Sequence, residues 1–209
     1  GKPLALDLTS FDAAGVGHRV WDSAIVMALL LRSDHAPAVL EQHAPSILEL
    51  GAGIGLPGID LARRLTPRSS VTLTDGRASL IDVLQSNAAR AVQPDAGRVR
   101  VELLAFDEPE VVQPGAFDLV IGSDICYDEA SVPILCDLIG SLASATALIV
   151  GPSNRPTVGM LASSLAAANG IELEVVRVSL LCTRADQPGP TSSLGTDHDV
   201  LIARRQKAR

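Results

Sequence analysis

The sequence predicts a doubly wound, mostly parallel α/β sheet, on three observations. Short apolar runs alternate with helical stretches along most of the chain, the rhythm of strand–helix–strand units. The run Ile47-Leu48-Glu49-Leu50 passes straight into Gly51-Ala52-Gly53-Ile54-Gly55-Leu56-Pro57-Gly58. That is a buried strand, a glycine-rich turn and the start of a helix, the arrangement with which such sheets hold a nucleotide-like ligand. After Asn169 the rhythm changes: Ile171–Leu181 and Val200–Ala203 read as strands with no helix between them, so they should pair as an antiparallel hairpin.

In chain order, Leu4–Leu8 alternates as a weak strand, and Asp12–Gly17 is a small-residue loop. Trp21-Asp22-Ser23 opens a helix with Asp22 or Ser23 as N-cap, and Ala24–Leu31 is apolar all round, hence buried on most sides. Ser33–Pro45 is a polar connection. The first core strand is Ile47–Leu50, followed by a helix over Leu56–Leu65 with Pro57 in its first turn. A second strand, Val71–Thr74, ends at Asp75-Gly76, and a helix over Ala78–Val92 turns Ile81, Leu84, Ala88 and Ala91 to one face. The clean alternation of Val99–Leu103 marks a sheet edge. Phe117–Ile121 and Ala147–Val150 are continuously apolar and therefore central. Ser131–Leu142 and Thr157–Asn169 are helices, the latter closed by Gly170.

Composition narrows the function. At 209 residues the length suits one domain. Nearly half the residues are apolar but only 2% are aromatic, so Leu, Val, Ile and Ala must build the core. The net charge of -7 argues against a broad non-specific nucleic-acid surface. Cys126, Cys136 and Cys182 have no disulfide-framework spacing, which fits a reducing compartment. The scattered histidines lack metal-ligand spacing, so no metal is expected. The longest apolar run, Ala24–Leu31, is too short to span a membrane.

In a doubly wound sheet, ligands bind beyond the carboxyl ends of the strands. Gly51, Gly53 and Gly55 lie at that end of the first strand, and Asp75 ends the second, where a carboxylate can accept hydrogen bonds from both hydroxyls of a ribose. The dinucleotide fingerprint G-x-G-x-x-G fails here, because its third glycine would fall on Leu56.

Further segments carry a family resemblance. They are Val20-Trp21-Asp22-Ser23-Ala24-Ile25-Val26, then Thr72-Leu73-Thr74-Asp75, then Phe117 through Asp128 with its D-x-x-Y element at Asp124 and Tyr127. With the pattern Glu49-x-Gly51-x-Gly53-x-Gly55 they resemble the class I, seven-β-strand, S-adenosylmethionine-dependent protein lysine methyltransferases. That group includes enzymes acting on elongation factors, chaperones and valosin-containing protein. The likeness runs from about Leu4 to Ala203. It implies a Rossmann-like sheet ordered 3-2-1-4-5-7-6 with a C-terminal antiparallel hairpin. It also implies one methyltransferase domain over 1–209, with an N-terminal strand and cap helix in 1–45 and the core in 46–209.

The resemblance further implies an enzyme that transfers methyl groups from S-adenosyl-L-methionine to a lysine of a protein substrate. It would act as a cytoplasmic monomer, with the nucleus also open to it, and without nucleic acid, membrane or metal. Position by position, Trp21 would contact the methionine part of the cofactor, and Glu49, Gly51, Ala52 and Gly53 would belong to its cradle. Asp75 would hold the ribose, while Phe106, where the family usually has Trp, and Ser123 would flank the adenine. Asp124 and Tyr127 would act on the acceptor, and the acids Asp107, Glu108, Asp128 and Glu129 would favour a basic protein surface. Specificity is expected in the segment before Trp21 and in the Arg184–Asp197 loop. No N-P-P-Y-type element follows the fourth strand, which speaks against a planar-nitrogen acceptor. Two other readings stay open: a small-molecule methyltransferase on the same fold, and a non-catalytic protein that keeps the cofactor site for interaction.

Overall fold

The structure, a computed structural model, describes residues 4–7, 17, 19–107, 116–180 and 196–206. Among these residues, seven strands form one sheet. They are β1 (Ser46–Leu50), β2 (Ser70–Asp75), β3 (Arg98–Leu103), β4 (Phe117–Ser123), β5 (Ala143–Pro152), β6 (Ile171–Leu180) and β7 (Thr196–Arg205). Their order is β3-β2-β1-β4-β5-β7-β6. β1 to β5 pair in parallel, and β7 runs antiparallel to both β5 and β6. The expected order and the C-terminal hairpin are therefore both present. β3 lies at an edge with alternating exposure, as its sequence pattern requires.

The helices are α1 (Asp22–Leu30), α2 (Leu56–Ala62), α3 (Ala78–Ala91), α4 (Ser131–Leu142) and α5 (Pro156–Ala167). None of the described helices is long and apolar enough to cross a membrane. The period-2 geometry of the strands divides the core into two layers. Ile47, Val71, Leu119, Leu148 and Val200 pack with α1, α2 and α3. Their neighbours Leu48, Val120, Ile149 and Leu201 pack with α4 and α5. The continuously apolar strands are thus apolar because both faces are covered.

Several local expectations are corrected. Residues 4–7 form no strand: the Asp7 backbone bonds instead to the Asn87 side chain, which accepts from the Asp7 N–H at 2.8 Å and donates to the Asp7 carbonyl at 3.2 Å. Neither Asp22 nor Ser23 caps α1. Trp21 stands at the cap, its carbonyl accepts from Ala24 at 2.9 Å, and Asp22 sits inside the first turn, where the helix dipole favours an acid. One flank of α1 is open, because Leu29 is exposed. A short 3-10 turn, Ala38–Glu41, interrupts the connection to β1. The buried face of α3 is Leu80, Leu84, Asn87 and Ala88 rather than one through Ile81. α5 ends with Ala168 as its C-cap, and Gly170, with φ +77°, forms the turn beyond it. Leu8, Glu108, Leu181, Cys182, most of the Asp12–Gly17 loop and the Arg184–Asp197 loop up to residue 195 lie outside the described residues.

Candidate active site

The carboxyl ends of β1, β2 and β4 open into a cleft of about 610 Å³, a size suited to a nucleoside-bearing ligand. Trp21, Gly51, Ala52, Gly53, Asp75, Phe106, Ser123, Asp124 and Tyr127 all line it. Of the residues given a catalytic or cofactor-binding role from sequence, Glu49 is the one that does not.

The turn after β1 is stitched to the end of β2. The Ala52 N–H donates to the Thr74 carbonyl at 2.7 Å, the Thr74 hydroxyl donates to the Glu49 carbonyl at 2.7 Å, and the Gly53 N–H donates to Asp75 Oδ2 at 3.0 Å. Gly51 has φ +59°, and a Cβ there would come within 2.7 Å of Ile125 Cγ2. Both the backbone conformation and the space demand glycine. Asp75 also accepts from the Arg77 N–H at 3.0 Å on Oδ1. Each carboxylate oxygen carries two acceptor sites, so capacity for a diol remains. Burial pushes the Asp75 carboxyl above its ordinary value, and the Gly53 and Arg77 N–H groups work against that shift. A flat apolar wall at Phe106 faces the turn, its ring edge 3.5 Å from where a Gly51 Cβ would lie.

Glu49 lies beneath this floor. It is 1% exposed, and its Oε2 accepts from the Gly58 N–H in the first turn of α2 at 2.9 Å. Desolvation pushes its pKa up to about 8, with Asp75 adding in the same direction and the Gly58 bond opposing. A Cβ at Gly58 would collide with both the Glu49 carboxyl and Leu73. Glu49 and Gly58 therefore fix how close α2 comes to β1, and the acid shapes the cradle from behind.

Sequence reasoning missed three contributors. Asn87 is fully buried on α3 and donates to the Ile54 carbonyl at 3.0 Å, tying the glycine turn to the Asp7 segment. Its signal was a polar residue on an otherwise apolar helix face. Arg19 lies over the Trp21 ring, 4.1 Å from its centroid, a cation–π contact that orients the indole. Arg155 forms an ion pair with Asp124 Oδ1. It stands just before Pro156, past the carboxyl end of β5, and that position at the ligand edge of the sheet was its signal.

Asp124 has the only positive φ outside glycine among the described residues, +57°. Its N–H donates to the Val150 carbonyl at 2.8 Å, which holds the turn after β4 against β5. Burial pushes its carboxyl above the ordinary value, opposed by Arg155 and His198 and reinforced by Asp22. Tyr127, three residues on, is 55% exposed at the mouth. Asp124 and Trp21 also line a second, adjoining cleft of about 720 Å³, reached from the Arg155 and His198 side. They form part of the wall between the two.

The sequence profile of a family described as lysine methyltransferase matches residues 2–157. Mouse EEF1A lysine methyltransferase 3 is 31% identical over 82% of this chain and 66% of its own length. Mouse protein N-lysine methyltransferase METTL21A is 34% identical over 65% of this chain and 60% of its own length. The chain thus spans somewhat less than two thirds of the length of these curated relatives. Among solved structures, an O-methyltransferase from Bacillus cereus in complex with SAH superposes with a TM-score of 0.58 at 21% identity, over 90% of this chain and 83% of the other, a likeness of fold.

Proposed function

The chain belongs to the lysine methyltransferase family, and from that premise we propose that it transfers methyl groups from S-adenosylmethionine to a lysine side chain of a protein substrate. The observation that carries this reading is the meeting, in one cleft, of the glycine turn and Asp75 with Asp124 and Tyr127. The first pair suits a nucleoside; the second suits an amine.

The residues fit the cofactor. The Asp75 carboxylate would accept from the ribose hydroxyls, and the backbone of Gly51, Ala52 and Gly53 would pass beneath the ligand. Phe106 and Ser123 would flank the adenine, and Trp21 would meet the methionine part. Bound there, the sulfonium supplies an electrophilic methyl group. The protein must then present a neutral amine to it. A lysine of ordinary pKa of about 10.4 loses its proton at pH 7 at a cost of roughly 4–5 kcal/mol. Positioning in near-attack geometry can supply about 7–11 kcal/mol. Asp124 would orient the nitrogen through a charge-assisted hydrogen bond, and the half-exposed Tyr127 ring would flank the lysine stem. The exposed acids Asp107, Asp128 and Glu129 near the rim suit a basic protein surface. The family and the reducing-type cysteine usage support action in the cytoplasm, where we take the chain to act as a monomer. The name of one relative makes elongation factor 1A a first substrate to try.

The test is incubation with radiolabelled S-adenosylmethionine and a cell extract. A labelled protein band, lost with Asp124→Ala and Tyr127→Ala while both variants still bind cofactor by calorimetry, is the expected result. Label appearing only in small molecules, or unchanged labelling by both variants, refutes the assignment.

A further inference from the structure

Asp124 does not stand alone at the acceptor end of the cleft. Arg155 reaches its Oδ1 from the segment before α5, and the pair is well sheltered, with 12% of the aspartate side chain and 30% of the arginine side chain exposed. Among the described residues, the charged or titratable groups that act on Asp124 come from three packed elements: Arg155 ahead of α5, His198 on β7 and Asp22 on α1. Among the described residues, Arg155 is the one whose side chain is hydrogen-bonded to it.

This matters because of a conflict in the chemistry. A carboxylate beside an ammonium grips it but also stabilises its charge, raising the amine pKa by about 1–3 units. The fraction of neutral, reactive amine then falls by about 10- to 1000-fold. A guanidinium on the carboxylate's other oxygen reverses part of that effect, because it cancels the local charge while leaving Oδ2 as an acceptor.

Resting on the lysine reading of this site, we propose that Arg155 is a positioning residue that holds Asp124 in its left-handed turn and balances its charge, so that the acceptor amine is oriented without being locked in its protonated form. Arg155 itself does not touch the reacting atoms.

The experiment uses the full chain, radiolabelled S-adenosylmethionine and the protein fraction of a cell extract, with initial rates measured from pH 6.5 to 9.5. The wild type should gain rate as pH rises. Arg155→Gln should move that rising limb to higher pH by about one unit, about tenfold slower near neutrality with the gap closing at the alkaline end. Arg155→Lys, which keeps the charge but not the planar fork, should keep the wild-type limb at a lower maximum. A second readout needs no turnover: the Asp124 carboxyl, followed by carbon NMR in aspartate-labelled protein and assigned with Asp124→Asn, should titrate higher in Arg155→Gln than in the wild type. Uniform rate loss at every pH with an unmoved Asp124 titration would reduce Arg155 to a structural bridge. If Arg155→Gln does not fold, a displaced limb in Arg155→Lys overturns the proposal. Wild-type protein that labels nothing removes the lysine reading and this inference together; wild-type labelling with superimposable variant profiles removes this inference alone.

Discussion

Two acids, one under the floor of the cleft and one in its wall, are buried by opposite means and to different ends. Glu49 is held by a backbone N–H and has no cationic partner among the described residues, and its pKa is pushed up to about 8. Asp124 is less deeply buried, sits on a left-handed backbone and is paired with Arg155. A buried carboxyl without a counter-charge serves best as a neutral, shape-giving acid. One with a counter-charge can stay ionised and face a ligand. The floor is thus built from backbone and volume, and the wall from charge.

The sharpest way to break this contrast is Glu49→Gln, which makes the floor permanently neutral. The ordinary value for the acid is 4.5 and the folded value about 8. Between them the folded chain keeps a proton that the unfolded chain has released, so stability is greatest on the acid side and falls as pH rises through that window. At about 1.4 kcal/mol per unit, the loss is on the order of 5 kcal/mol. Denaturant titrations from pH 5 to 9 should show this decline in the wild type and a flattened profile in Glu49→Gln; parallel profiles would mean that Glu49 is already ionised and partnered.

A smaller effect is expected of Gly58→Ala, whose new methyl meets the Glu49 carboxyl and Leu73. Overpacking should cost about 1–3 kcal/mol, read as a lower denaturant midpoint, together with weaker cofactor binding. An unchanged midpoint would show that α2 is not held at contact distance. The smallest change belongs to Asp124→Gly. Relief of the left-handed strain, worth about 1–2 kcal/mol, should offset the lost ion pair and the flexibility of glycine. Stability should stay within about 1 kcal/mol of wild type while methyl transfer is lost. A large drop in stability would place Asp124 with Glu49, as part of the scaffold.

What was legible in the sequence follows the same division. The edge position of β3 could be read because burial on one face leaves an alternating pattern in consecutive residues, and the hairpin because no helix separates its two strands, whereas the full strand order followed from the family resemblance. The glycine turn and Asp75 could be read because the floor is local, built within one strand–turn–helix unit and the end of the next strand. The wall could not be read in full. Asp124 and Tyr127 were visible as a short motif, but Arg155 lies 31 positions away and His198 is on β7, so only the folded sheet brings them alongside. Asn87 hid for a related reason, as one amide on a helix face otherwise read as apolar. Glu49 was placed in the cradle by its motif, whereas the side-chain alternation of β1 turns it under the floor toward Gly58.

The order β5-β7-β6 carries a consequence of its own. The strand between β5 and β6 is the one synthesised after both of them, and Val200, Leu201 and Ala203 fill both core layers from there. During translation β5 must therefore emerge with one hydrogen-bonding edge bare and wait for β7 to close it. That interval is when a nascent chain is most open to pairing with the wrong strand, so the stretch from β5 to β7 is where a chaperone at the ribosome would matter most to this fold.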